Sequence, residues 1–137
     1  MPIAADAVAV RRGPLVVVGG VVAATAVASI ADTVIALLAL AAGASDDFRP
    51  LKASSYIFLT VVGVVAGAVG WAIVRNMSKD PEALLRWLLP TLVVVSFVPD
   101  FLLLGDGGAI GVVALLLMHV AVAAVAVLTY RKVMPLP

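Results

Sequence analysis

Residues 54–74 read SSYIFLTVVGVVAGAVGWAIV. No charge interrupts the stretch, and Lys52 and Arg75 bracket it. A helix rising about 1.5 Å per residue crosses a bilayer core of roughly 30 Å in about 20 residues, so the length fits one crossing. In lipid every backbone N–H and C=O must be satisfied within the spanning structure, which leaves helices and closed barrels. A barrel strand alternates apolar and polar side chains, and this stretch does not. The segment therefore predicts a transmembrane helix.

Working outward, the same pattern recurs three times. Apolar runs cover about 15–42, interrupted only by Asp32, about 83–104, carrying Arg86 and Asp100, and about 108–130, carrying His119. The chain of 137 residues is 64% hydrophobic and 12% charged, with a mean hydropathy of +1.23. Soluble domains are roughly 45–50% apolar, and the excess here is too large for so short a chain to bury. The predicted fold is an all-α membrane protein, a single domain spanning 1–137 whose four helices form an antiparallel bundle. Short connections, GASDDFRPLKA, RNMSKDPE and GDG, make sequential helices up-and-down neighbours. Asp80, Pro81 and Glu82 make a strong start signal for the third helix.

Charge predicts orientation. Arg11, Arg12, Arg75, Lys79, Arg86, Arg131 and Lys132 fall on one side of the four runs; Arg49 and Lys52 fall on the other, beside Asp46, Asp47 and Asp106. The positive-inside rule then puts both termini in the cytoplasm, and the plasma membrane is the expected address. Trp71, Trp87 and Tyr130 near one set of helix ends, and Tyr56 near the other, suit the membrane interface. An alternative reads RRGPLVVVGGVVAATAVASIA as a signal peptide cut near Ala26-Val27-Ala28. The apolar run continues to Leu40, longer than such a core usually is.

Three ionisable groups lie at membrane depth, where burial is costly and side chains turn to the bundle interior. By helical rise, Asp100 falls roughly 6 Å and His119 roughly 16 Å below the same edge of the core. Asp32 falls near the level of Asp100. Small or polar residues form stripes beside them: Thr25, Ser29, Asp32 and Ala36 on the first helix, and Tyr56, Thr60, Gly63, Gly67 and Gly70 on the second. Ser96 and Asp100 share a face of the third, and Gly108, Gly111, Leu115, His119, Val122, Ala126 and Tyr130 a face of the fourth. With these faces inward, Asp100 points toward Tyr56, Thr60 and Asp32, and Ser29 or Ser96 stands at the right depth to bond His119. Gly63, Gly67 and Gly70 are expected to pack a neighbouring helix closely. Pro99 should kink the third helix by leaving the Val95 carbonyl without its donor. Each group also has a plain explanation: local water at Asp100, a neighbouring hydroxyl for Asp32, a neutral bonded imidazole for His119.

Chemistry is sparse. The chain has no cysteine, which removes disulfides, thiolate catalysis and cysteine-held metal. It carries no HExxH, no glycine-rich phosphate loop and no G-x-S-x-G. One histidine and two spaced carboxylates match no known catalytic or metal constellation. No cofactor and no enzymatic activity are expected, and a net charge of +1 points away from nucleic acid. The leading expectation is a non-enzymatic accessory or interaction subunit, with lipid and a partner membrane protein or further copies of itself as partners. The alternative is a small proton- or ion-handling protein with an outward-opening polar interior of Asp32, Asp100 and His119.

GAVGWAIVRN, RWLLPTLVVVSFVPDFLL and VVALLLMHVAVAAVAVLTYRK together resemble a family of small actinobacterial four-helix membrane proteins catalogued only as a domain of unknown function. The resemblance covers about residues 60–132. It rests on Arg86 and Trp87 opening the third helix, Ser96 and Pro99 near its end, and the Met118-His119 pair. Family members often carry an uncharged residue where Asp100 stands. The resemblance implies a four-helix fold in a membrane and no particular reaction.

Overall fold

A computed structural model describes residues 11–137. Four helices follow in order: α1 Pro14–Ala41, α2 Ala53–Met77, α3 Pro81–Leu102 and α4 Leu104–Val133, with a short 3-10 turn at Arg49–Leu51 before α2. Each is long and apolar enough to cross a membrane. No strand occurs among the described residues.

Local chemistry explains the boundaries. Proline at the first position of α1 and of α3 loses nothing, because that N–H has no helical partner. Asp80 caps α3 by accepting from the Ala83 N–H at 2.9 Å, which satisfies one of the orphan donors there. At the end of α1, Gly43 turns left-handed at φ 103°. Gly43 N–H then reaches Leu40 O at 3.0 Å, and Ala44 N–H reaches Ala39 O at 2.9 Å, the paired bonds of a Schellman stop. The Gly105-Asp106-Gly107 segment is not a loop. It winds into the first turn of α4, with Asp106 and Gly107 N–H groups both donating to Leu103 O. The break comes one residue later, at Gly108 with φ 63° and ψ 179°. α3 stays helical through Pro90 and Pro99.

Packing places α4 at the centre. It packs against all three other helices, most extensively α1, whereas α2 and α3 barely meet. Asp32 of α1 meets Thr60 of α2, and Glu82 of α3 meets Arg131 of α4, so sequential helices run antiparallel. The start of α1, the end of α4 and the α2–α3 connection share one side, called here the terminal side. The other two connections lie on the far side.

Two apolar clusters fill the interior. The far-side cluster joins Ala36, Ala39, Phe48, Leu51, Tyr56, Ala114, Leu115 and Met118. The terminal-side cluster joins Ala24, Val64, Trp71, Leu85, Ala126, Tyr130 and Met134. Phe48, from the α1–α2 connection, lies against Gly107, where a β-carbon would collide with its ring, and against Gly111, where one would fit only tightly. Glycine is required at the first of these by close approach, and the contact ties the two far-side connections together.

The buried stripes differ in detail from the sequence expectation. On α1 the buried row is Ala24, Ala28, Asp32, Ala36 and Ala39, with Thr25 and Ser29 half-buried at its edge. On α2 it is Tyr56, Thr60, Val64 and Trp71. Gly63, Gly67 and Gly70 lie instead on exposed surface. Gly63 and Gly70 have open space where a β-carbon would stand, and only Gly67 meets a neighbour, Tyr130. Lipid and interior are equally apolar, so volume rather than polarity decides which face turns in, and the bulk of Val64 and Trp71 fills the gap beside α4. The aromatic rings divide for the same reason. Trp71 (2% exposed) and Tyr130 (3%) are interior residues and Tyr56 is buried, while Trp87 (76%) alone keeps the outward position expected of it.

Candidate functional site

Between the two apolar clusters lies a polar layer built by all four helices. α1 supplies Asp32, which is 0% exposed, and α2 supplies Thr60, also buried. The Thr60 hydroxyl donates to Asp32 Oδ2 at 2.5 Å. Asp32 Oδ1 has no hydrogen-bond partner.

α3 and α4 supply the second half. Asp100, in the last turn of α3, is 6% exposed. Its Oδ2 stands 3.0 Å from Nδ1 of His119, near the midpoint of α4. That same nitrogen lies 2.9 Å from the Leu115 carbonyl one turn back along α4. Asp100 Oδ2 counts as an ion-pair neighbour by distance yet makes no hydrogen bond. With Nδ1–H directed at Leu115 O, the carboxylate approaches off the N–H axis. Phe97 closes the α3 side, its ring edge-on to the imidazole at 6.1 Å. His119 lies within Coulombic reach of both carboxylates.

The candidate residues therefore separate into distinct roles. Asp32 and Thr60 meet directly, and Asp100 and His119 meet directly. Tyr56 turns away from Asp100: its hydroxyl donates to Thr33 Oγ1 at 3.1 Å, and Thr33 donates to the Ser29 carbonyl at 2.8 Å. Ser29 thus takes part through its backbone. Ser96 donates to Val93 O on its own helix at 2.6 Å, serving neither His119 nor the Val95 carbonyl that Pro99 leaves without a donor. The far-side cluster lies between the layer and the far-side connections. A groove of about 360 Å³ between α1 and α4, lined by residues such as Leu38, Ile110 and Leu117, is apolar and touches none of these groups. Among the described residues, no set of three or more His, Asp or Glu side chains is placed to hold a metal ion.

Thr33 escaped the sequence reading, as did two buried bonds on the terminal side. The Tyr130 hydroxyl donates to the Val64 carbonyl, and Trp71 Nε1–H donates to the Met134 carbonyl at 2.9 Å. The two rings pack at 5.7 Å, with Arg131 over Trp71 at 6.0 Å. An aromatic ring at a helix end signals a lipid interface by default, and only the position of α4 shows that these face inward.

Fold and layer together define a class: an all-α membrane protein whose four-helix bundle carries a buried acid–histidine layer. The chain belongs to a protein family described as a family of unknown function (DUF6069), which matches residues 5–135. No curated protein and no solved structure matches the chain.

Proposed function

We propose that this is a non-enzymatic accessory or interaction subunit of the plasma membrane, multi-pass, with both termini and the 78–80 connection in the cytoplasm. Its partner is another membrane protein or a second copy of itself, and it requires neither cofactor nor nucleic acid. The observation that carries the reading is the open flank between α2 and α3. α3 buries only Pro81, Leu85 and Asp100 of its 22 residues, and Gly63 and Gly70 leave open space on the exposed face of α2. A foreign helix can approach a glycine face backbone-close, where dispersion and weak polar contacts act without hydrophobic drive. Mild solubilisation of native membranes should recover a complex or oligomer. Leucine at Gly63 and Gly70 should dissociate it without lowering the melting temperature. A monomer without any stable partner sinks the reading.

The unpartnered oxygens of Asp32 and Asp100 favour a second reading, a protein that handles protons or small ions. Purified protein in liposomes should then pass protons or cations, and Asp100→Asn and His119→Ala should each reduce the flux. Flux unchanged in both variants removes this reading and leaves the first intact.

A further inference from the structure

We propose that Asp32, Asp100 and His119 form a proton-binding site whose load determines how firmly the far-side end of α3 docks on α4. The inference deepens the proton-handling reading by naming the ligand, the number of protons and the moving part.

The charge count comes first. With both carboxylates ionised and the imidazole neutral, the layer carries a net charge of −2; two added protons make it neutral. Uncompensated charge between apolar clusters is costly, so the two-proton layer is the one the closed bundle accommodates. Among the described residues, His119 is the one charged or titratable group that acts on either carboxylate. α1 contributes Asp32, α2 the non-titrating Thr60 hydroxyl, α3 Asp100 and α4 His119, while the Tyr56 phenol is bonded to Thr33. The positive groups nearest in sequence, such as Arg86 and Arg131, belong to the terminal-side ends of α3 and α4. Removing one proton leaves −1 inside, with Asp100 Oδ2 already lacking a hydrogen bond.

Mobility comes second. α3 is the helix with the fewest buried side chains, and Asp100 is the one buried residue of its far-side half, beside the half-buried Phe97. Prolines at 90 and 99 lie within it, and beyond Leu102 the chain reaches a left-handed glycine at 108. At its other end the Glu82–Arg131 pair, at 2.9 Å, fastens it to α4. The helix thus has an ion pair at the terminal side, and at the other its one polar attachment to the body of α4 is the Asp100–His119 pair. Protons exchange between the layer and water, and His119, whose side chain is 37% exposed against 9% for Asp100, is the less enclosed member of the pair. No redox partner or co-reactant is involved. Rising pH removes a proton from the layer and releases the end of α3.

The absence of native cysteine allows spin labels at Val98→Cys on α3 and Val113→Cys on α4, both exposed, in the full chain in lipid nanodiscs. Between about pH 5 and pH 9, which spans the usual range of an imidazole and reaches well above that of a free carboxyl, a single short distance should give way to a growing longer one. Asp100→Asn should abolish that shift, as should His119→Gln should the first variant misfold, whereas Glu82→Gln should keep it. Infrared spectra at low pH should show a protonated-carboxyl band that Asp32→Asn and Asp100→Asn each diminish. A distance independent of pH, an Asp100→Asn protein as pH-sensitive as the unsubstituted chain, or no protonated-carboxyl band at any pH would overturn the site. Flux through liposomes is a separate readout: its absence removes transport and leaves proton binding standing.

Discussion

Thr60 decides how expensive Asp32 is to keep. Removing one partner of a buried bond exposes the desolvation cost of the other, about 1–3 kcal/mol and more for a charged group. Thr60→Val should therefore lower stability by at least that amount in detergent melts. Asp32→Val combined with Thr60→Val should recover much of the loss, because both polar groups then leave together. Recovery no better than additive would show that Asp32 is satisfied from elsewhere. Gly67 offers a second test, since a β-carbon there would stand 2.9 Å from the Tyr130 hydroxyl. Gly67→Ala should be destabilising and Gly63→Ala neutral. Tyr130→Phe, which forfeits a bond of about 0.5–1.5 kcal/mol, should make Gly67→Ala less harmful in a double-mutant cycle.

α3 is the element in which sequence and structure part most clearly. Its existence and start were legible, because Asp80, Pro81 and Glu82 announce a capped helix whatever surrounds them. Asp80→Ala should cost about 0.5–2 kcal/mol by removing that cap, seen as a lower melting temperature with unchanged helicity. Its end was not legible in the same way. Gly105, Asp106 and Gly107 read as a loop by composition, yet they wind into α4 because Leu103 O accepts the Asp106 and Gly107 N–H groups and Phe48 needs Gly107 small. That requirement comes from a ring on a distant connection, which no local window contains. The same holds for the partner of Asp100. The small and polar stripes point it toward Tyr56, Thr60 and Asp32, but α3 touches α2 so little that His119 of α4 takes that place. In an almost wholly apolar helix, polarity picks the residues that must be accommodated and leaves the facing direction to volume, as Gly63 and Gly70 also demonstrate.

At the scale of the whole molecule, four hydrophobic runs and their short links were sufficient to specify an all-helical antiparallel bundle. Bilayer thickness and backbone satisfaction permit few alternatives. Orientation is open to direct measurement through the same lack of cysteine. Asp47→Cys in intact cells should react with a membrane-impermeant maleimide and Ser78→Cys should not; the reverse pattern would invert the proposed topology. The tryptophans provide an intrinsic comparison of another kind. Trp87 projects away from the bundle, whereas Trp71 is enclosed and holds the Met134 carbonyl. Lipids brominated along their chains should quench emission from a Trp71→Phe protein strongly and from a Trp87→Phe protein weakly. Because the shielded indole is anchored to the stretch following α4, its spectrum also becomes a sensor of whatever is fused there. An affinity handle joined directly after Met134 would disturb it, and one set beyond Pro137 on a spacer would not.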